Sequence, residues 1–161
     1  MAKFYSTKTY GNDRGLSCCF RQWRATHSHC SLLHGYSIGI RLVFECETLD
    51  DKNWCMDFGG LAEFKKWSEQ MFDHTLVIAE DDPDLEVFKK LNEITGGHKN
   101  QGVCDLRIVP GVGCEMFAKM CYDKMSELLI SGNMRYPVNP NVRVKSVEVF
   151  EHGANSATYE G

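Results

Sequence analysis

The sequence predicts an α+β fold, in which a sheet is backed by helices. Residues 36–44 alternate between apolar and polar side chains, as a half-buried strand does. Residues 57–72 and 114–130 instead place apolar side chains every three or four positions, which indicates amphipathic helices. The strand pattern returns at 141–151. The length suffices for one domain with a substantial core, so we expect a single domain over residues 1–161.

The first predicted element is a β-hairpin. The stretch GLSCCFRQWRA, at 15–25, is β-prone and could pair with the strand over 36–44. The connection between the two strands would then carry the histidines of HSHCSLLH. A helix opened by Asp57 follows, because aspartate is a favoured N-cap residue. A shorter helix is expected after Pro83.

The clearest predicted helix lies in the second half of the chain. It covers 114–130 and ends at the sequence SGN. Before it, TGGHKNQG at 95–102 is predicted to be a loop because of its glycines, and DLRIVP at 105–110 is too short to assign. After it, NVRVKSVEVFE and SATYE are two strand-like stretches separated by HGAN. These stretches predict the strand pair that closes the sheet.

The composition excludes several classes of protein. The net charge of −4, the pI near 5.8 and the scattered basic residues argue against a nucleic-acid partner. The apolar runs are far shorter than the roughly 20 residues of a membrane span. The start MAKFYSTKTYGNDRG lacks the apolar segment of a signal peptide, so we expect a soluble, cytoplasmic protein. The eight cysteines show no CxxC spacing, which indicates buried thiols rather than a structural zinc site.

Three histidines and a cysteine lie within HSHCSLLH, at 27–34. On an extended strand, His34 and residue 36 would point the same way about 7 Å apart, and His27 and His29 have the same relation if their segment is extended. Three neutral imidazoles that leave a fourth position open form the catalytic type of zinc site. The sequence therefore predicts zinc on His27, His29 and His34. The alternative is that these histidines are polar loop residues.

Five motifs resemble the 6-pyruvoyltetrahydropterin synthase family, which includes the 6-carboxytetrahydropterin synthases. CSLLHGY resembles the CxxxHGH motif, WCMDFGGLAEFKKW the W-x-x-DF-x-x-L-K segment, and FDHTL the LDH segment. GCEMFAKMCYDKM resembles the helix opening PTSE-x-x-A, and EHGANSATY the closing E-x7-Y. The motifs occur in the family's order from about Phe20 onward. The four-residue step from Cys30 to His34 is similar to the carboxy-forming enzymes, because the pyruvoyl-forming branch has a longer step.

The resemblance implies a tunnelling fold (T-fold), an antiparallel sheet with helices packed on one side whose subunits form a barrel. It implies a homohexamer, a dimer of trimers, with active sites between subunits. It also implies a lyase that converts 7,8-dihydroneopterin triphosphate to 6-carboxytetrahydropterin, with loss of acetaldehyde and triphosphate, on the route to deazaguanines such as queuosine. Two alternatives stay open. One is a family member that acts on another pterin, and the other is a pterin-binding protein without turnover.

The resemblance further implies roles for four residues. Cys30 matches the catalytic cysteine, whose thiolate can exchange protons with the substrate side chain, although a buried thiol is the alternative. Asp73 and His74 match an Asp-His pair that acts as general acid or base. By residue type alone, they would equally suit a helix cap and a surface histidine. Glu151 matches the carboxylate that grips the pterin ring through two parallel hydrogen bonds, and would otherwise be a solvated charge.

The sequence departs from the family at the expected metal ligands. Tyr36 replaces the second histidine of HGH, and we expect it in the substrate pocket as a hydrogen-bonding neighbour. The first metal histidine, which normally ends the first strand, has no clean counterpart, since counting from Phe20 reaches Arg24. Either His27 and His29 rebuild the missing ligands, or the metal is lost.

A further departure lies at the start of the helix over 114–130. Gly113 and Cys114 stand where the family has Thr-Ser before the glutamate that Glu115 matches. We therefore expect Glu115 in the substrate-binding set and one pterin contact to be absent.

Overall fold

A computed structural model describes residues 1–96 and 102–161, which form a seven-stranded sheet and three α-helices. The strands are β1 (Phe4–Tyr10), β2 (Leu16–Phe20), β3 (His34–Cys46), β4 (Thr75–Ala79), β5 (Leu106–Val109), β6 (Arg143–His152) and β7 (Asn155–Glu160). The helices are α1 (Ala62–Phe72), α2 (Leu85–Glu93) and α3 (Cys114–Ser131). Of the loop predicted at 95–102, residues 97–101 lie outside the described part. No helix in that part is long and apolar enough to cross a membrane.

The predicted hairpin is confirmed. β2 pairs antiparallel with the first part of β3, in a register that sets Leu16 opposite Ile38 and Phe20 opposite His34. β1, which the sequence did not predict, pairs with the remainder of β3. β1 escaped prediction because most of its side chains are exposed and only Tyr10 is buried.

The sheet is mixed, so the prediction of an antiparallel sheet was wrong. The strand order is β5-β4-β2-β3-β6-β7, with β1 beside β3. Pairs that involve β3 and β6 are antiparallel, whereas β4 runs parallel to both β2 and β5. The reason is that α2 carries the chain from β4 back to β5, and such a crossover returns the next strand in the same direction.

The helical segment that leads into α1 begins, and α3 ends, as the sequence predicts. The Asp57 carboxylate accepts a hydrogen bond of 2.9 Å from the Gly59 amide and caps the 3-10 turn that leads into α1. α3 ends at Ser131 because Gly132 adopts the left-handed conformation, with φ of 71°. The third helix, α2, follows Pro83 as expected.

The helices do not all lie on one side of the sheet. The main core contains α1, α3 and the side chains of Val77 and Ala79 from β4. A second, smaller cluster joins Leu76 and Ile78 of the same strand to Phe88 of α2. Because successive side chains of a strand point to opposite faces, α2 covers the face opposite to α1 and α3. The prediction of helices on one side therefore holds only for α1 and α3.

Candidate active site

The connection between β2 and β3 holds Cys30 at the surface in a defined position. The Gln22 backbone amide donates a 2.8 Å hydrogen bond to the Cys30 carbonyl oxygen, and the Cys30 amide donates one of 3.1 Å to Ser28 Oγ. The Gln22 side chain donates to the Val112 carbonyl oxygen at 2.8 Å, just before α3. Cys30 is exposed, so its thiol is accessible to a substrate.

The start of this connection is anchored to the turn that follows β4. Arg21 donates hydrogen bonds of 2.7 and 2.9 Å to the buried Asp82 carboxylate, and one of 2.8 Å to Asp84. Burial alone would raise the pKa of Asp82, but the hydrogen bonds from Arg21 lower it below its usual range. Arg24, a candidate for the first ligand position, pairs instead with Asp81 at 3.1 Å.

Tyr36 lies near several of the groups that the sequence singled out. Its phenol is half-buried, and its pKa is raised to about 12 by burial and then by the nearby Glu151 carboxylate and the Cys30 and Cys114 thiols. Burial also raises the pKa of Cys114 to about 11, with the carboxylates of Glu151 and Glu115 adding to the effect. Groups whose charges interact in this way are neighbours. Cys30, Cys114 and Glu151 are thus close enough to Tyr36 for their charges to affect its pKa, and Glu115 has the same relation to Cys114.

Glu151 lies on an irregular part of β6. The pairing of β6 with β7 shifts register between Phe150 and His152, so Glu151 lies at a bulge. The Asn12 side chain donates hydrogen bonds to the carbonyl oxygens of Ser37, at 2.7 Å, and Phe150, at 3.3 Å. These two bonds hold the ends of β3 and β6 together beside the half-buried Glu151.

Gly113 has a structural reason to be glycine. Its φ is 110°, and a Cβ built there would lie 2.5 Å from Nε2 of Gln22. A threonine, which the family motif has at this position, would need to displace the Gln22 side chain that ties Cys30 to α3. Glu115, in the first turn of α3, is exposed.

Asp73 and His74 form the predicted pair directly after α1. Nδ1 of His74 lies 2.8 Å from Oδ1 of Asp73, and the His74 amide donates to the Ser17 carbonyl oxygen at 2.6 Å. His74 adopts a φ of 58°, and its side chain is 86% exposed. The imidazole lines a surface groove together with Gly35. Within the described residues, no hydrogen bond or salt bridge joins His74 to Cys30.

The structure does not bring His27, His29 and His34 together. His27 and His29 are exposed and lie on a succession of turns, because the Ser28 amide donates to Ala25 and the Leu32 amide to His29. The segment is therefore not extended, whereas the predicted ligand geometry requires an extended segment. Among the residues at 1–96 and 102–161, no group of three His, Cys, Asp or Glu side chains is placed to hold a metal ion.

Phe20 is the site residue that the sequence did not reveal. β2 ends at Phe20, whose ring stacks on Tyr36 with centroids 4.0 Å apart and an interplanar angle of 14°. The His34 ring lies 4.4 Å from the Tyr36 ring. Nδ1 of His34 is 2.8 Å from the Leu32 carbonyl oxygen. Because a carbonyl oxygen can only accept a hydrogen bond, Nδ1 carries the proton, and Nε2 of the neutral ring has none. The hairpin register was the signal that could have identified Phe20.

Comparison with known proteins assigns the chain to a family. Residues 12–161 match the family described as PTPS, 6-pyruvoyl tetrahydropterin synthase. Because this match spans nearly the whole chain, the protein belongs to the 6-pyruvoyl tetrahydropterin synthase family, which consists of pterin-processing lyases. The resemblance inferred from the five motifs is confirmed.

The chain is also similar to parts of curated relatives. A region of 68 residues is 31% identical to the 6-carboxy-5,6,7,8-tetrahydropterin synthase of Rickettsia typhi (strain ATCC VR-144 / Wilmington), over 42% of this chain and 48% of that protein. A region of 57 residues is 30% identical to the Rickettsia conorii (strain ATCC VR-613 / Malish 7) protein of the same name, over 35% and 41% of the two chains. The chain thus spans about half the length of the curated relatives it matches.

Solved structures with the same fold cover the entire chain. An uncharacterized protein from Wolinella succinogenes has a TM-score of 0.74 at 16% identity, over 100% of this chain and 99% of that chain. The 6-pyruvoyl tetrahydropterin synthase of Plasmodium falciparum has a TM-score of 0.63 at 14% identity with the same coverage. These likenesses establish an α+β fold of the PTPS type, in which helices pack on a mixed sheet.

Proposed function

We propose that the protein is a 6-carboxytetrahydropterin synthase-like lyase that converts 7,8-dihydroneopterin triphosphate to 6-carboxytetrahydropterin in deazaguanine and queuosine biosynthesis. The observation that carries the proposal is the β2–β3 hairpin, which holds Tyr36 on β3 and ties Cys30 to Gln22, with the Glu151 carboxylate near enough to raise the pKa of Tyr36. The short step from Cys30 to His34 and the names of the Rickettsia relatives support the carboxy-forming type over the pyruvoyl-forming type.

Cys30, Tyr36 and Glu151 each have a chemical role in this proposal. The Glu151 carboxylate accepts two parallel hydrogen bonds from the ring N–H and the amino group of the pterin, which fixes the ring. The exposed Cys30 thiol then exchanges a proton with the substrate side chain. The Tyr36 phenol stays protonated at neutral pH, because its pKa is raised to about 12, and so donates a hydrogen bond to a substrate oxygen.

The Asp73–His74 pair supplies the second proton-transfer group. The Asp73 carboxylate orients the imidazole at 2.8 Å, which leaves Nε2 of the exposed His74 ring free to donate or accept a proton. No described contact joins the pair to Cys30 of the same chain. We infer that the two halves of the site meet between subunits, in the barrel-forming homohexamer that the family resemblance implies.

The zinc ion that the resemblance implies does not fit the candidate ligands at 1–96 and 102–161. A catalytic zinc site needs three protein donors with one position open, and the imidazoles of His27, His29 and His34 do not converge. The proposed proton transfers therefore run through Cys30 and His74, and no step depends on the metal.

The test is a product assay on 7,8-dihydroneopterin triphosphate. Purified protein should release 6-carboxytetrahydropterin and acetaldehyde, while a Cys30→Ala variant that still binds the pterin should release both at least about 10²-fold more slowly. Ser31→Ala is the matched control, because Ser31 is the next residue of the same 3-10 turn and its hydroxyl donates a 2.9 Å hydrogen bond to the Ser28 carbonyl oxygen, its sole partner among the described residues. Formation of a 6-pyruvoyl product, or no product from a protein that binds the pterin, would contradict the proposal.

A second candidate function is a pterin-binding protein without turnover. The observation that favours it is the stack of Phe20 on Tyr36, because Tyr36 stands where the family resemblance expects a metal-binding histidine. Such a protein would bind the pterin through Glu151 and release it unchanged. Binding of the substrate without any product in the assay, in the same preparation, would select this candidate.

A further inference from the structure

One face of the β2–β3 hairpin brings together the three positions from which side chains could share a metal ion. Phe20 and His34 are a cross-strand pair, and Tyr36 follows His34 by two residues on the same strand. Directly opposed residues have Cβ atoms about 4.5–5.5 Å apart, and residues two apart on a strand are about 7 Å apart on one face. Donors at positions 20, 34 and 36 would therefore surround one tetrahedral ion.

Only one of these three positions carries a metal donor suited to neutral pH. The His34 ring has Nε2 available, because its Nδ1 is held 2.8 Å from the Leu32 carbonyl oxygen. Phe20 has no donor atom. The Tyr36 ring lies flat against Phe20, with centroids 4.0 Å apart, and tilted against His34 at 4.4 Å. The space between the three side chains is thus occupied by contacting rings.

The aromatic contacts continue into the main core. Phe20 is only 4% exposed, and its ring meets Phe117 of α3 edge-on with centroids 5.0 Å apart. The series of contacting rings runs Phe72, Phe117, Phe20, Tyr36 and His34, from the core to the surface. Phe20 cannot turn away to admit an ion without leaving this core, so the arrangement is built into the fold.

The histidines of the connection do not replace the missing donors. His27 and His29 lie on the turns of the connection and line a surface depression with Thr26 and Leu32. Neither forms a metal-binding group with His34 within the part of the chain that the structure describes.

We propose that the face formed by Phe20, His34 and Tyr36 is an aromatic cluster in place of a zinc site, so that this chain binds its pterin without zinc at the hairpin. Two substitutions separate the cluster from a metal centre, since His34 already presents a free Nε2. The absence of a zinc site follows from the geometry of these three side chains, whereas the pterin as the ligand rests on the proposed function.

The experiment measures zinc content. Chelator-stripped protein is incubated with excess ZnCl₂, desalted and analysed for zinc. Wild-type protein should retain far less than one equivalent. The double variant Phe20→His with Tyr36→His should retain about one zinc ion per chain, because three imidazoles then share one face. Adding His34→Ala to the double variant should remove that ion.

The matched control is Phe20→Leu with Tyr36→Phe, which disturbs the same cluster without adding imidazoles and should retain no zinc. Circular dichroism shows whether each variant is folded, since Phe20 is buried. If the double variant does not fold, calorimetric titration of wild type and His34→Ala decides the question. Stoichiometric zinc binding by wild type that is lost in His34→Ala refutes the inference. No binding, or binding that His34→Ala leaves unchanged, supports it.

The readout also separates this inference from the proposed function. Zinc content is measured without substrate, so an inactive protein does not change the expected result. Stoichiometric zinc on wild-type His34 would refute the inference and leave the proposed lyase reaction standing.

Discussion

At the residue scale, Cys30 is the side chain on which the proposed chemistry depends most. Cys30→Ala should lower turnover by the roughly 10²–10⁴-fold typical of lost acid–base groups, while the dissociation constant of the pterin stays close to wild type. The reason is that the exposed thiol is proposed to transfer a proton and not to bind the pterin ring. Steady-state kinetics with a separate binding titration checks both quantities. Full turnover in this variant would remove Cys30 from the mechanism.

Glu151 has the complementary role, since it is proposed to bind rather than to react. Glu151→Ala should weaken pterin affinity by about 2–4 kcal/mol, because two charge-assisted hydrogen bonds to the ring are lost. Fluorescence titration with a pterin measures the change, and a melting curve shows that the fold is retained. Glu148→Gln is the control from the same strand, because its carboxylate is already bonded to Ser156 at 2.6 Å. Equal pterin affinities for wild type and Glu151→Ala would show that Glu151 does not bind the ring and is a solvated charge.

At the element scale, the connection between β2 and β3 is a tethered segment rather than a free loop. Arg21 bonds to Asp82 after β4, and Gln22 bonds to Val112 before α3. Cys30 is held between these two anchors through the Gln22 amide. The position of the Cys30 thiol therefore depends on these two anchors.

The Arg21–Asp82 anchor predicts an acid dependence of stability. The folded-state pKa of Asp82 is below its unfolded value, so its contribution to stability is complete above the unfolded pKa, near 3.9, and is lost as pH falls through the folded pKa. Asp82→Asn should lower the free energy of unfolding by about 2–4 kcal/mol at neutral pH, because Arg21 loses a buried ionic partner. Denaturant unfolding at neutral pH, and at a series of values below pH 4, measures both effects.

An exposed aspartate supplies the control for this prediction. The Asp51 pKa is also lowered, by a hydrogen bond from Lys52, but both side chains are in solvent. Asp51→Asn should leave the unfolding free energy nearly unchanged at every pH, since exposed pairs contribute little. If Asp82→Asn behaves like Asp51→Asn, the anchor is not a source of stability.

At the scale of the whole molecule, the sheet has open edges within the described part of the chain. β1 and β7 are the outer strands of the antiparallel set formed by β1, β3, β6 and β7. Open edges favour pairing with another chain, which is consistent with the barrel-forming homohexamer proposed above. The active site would then include groups from more than one subunit.

Mixing two inactive variants tests whether the site is shared. Cys30→Ala and His74→Ala should each have low turnover, and co-expressed mixtures should recover up to about a quarter of wild-type activity, because that fraction of randomly formed interfaces keeps both groups. Light scattering gives the oligomeric state of the mixture. Mixing separately folded, stable oligomers without exchange is the control and should give no recovery. If co-expressed mixtures that form mixed oligomers stay inactive, Cys30 and His74 do not meet across an interface.

Short-range patterns in the sequence determined several features by themselves. The β2–β3 hairpin, α1, α3 and the β6–β7 pair follow from local spacing, because periodicity reports which face of an element is buried. The end of α3 before Gly132 is likewise determined by the local sequence. Asp73 and His74 are adjacent in the chain and directly follow α1, so their pairing could be predicted from the local sequence. The family followed from five motifs in order.

Only the tertiary structure decided the features that depend on residues distant in sequence. β4 is buried on both faces and shows no alternation, so its parallel pairing and the placement of α2 on the opposite face arise from packing. The stack of Phe20 on Tyr36 follows from the hairpin register. The turns that separate His27 and His29 from His34 could not be predicted from residue spacing either, because the spacing argument assumes an extended segment. Spacing predicts donors, but backbone geometry decides whether they converge.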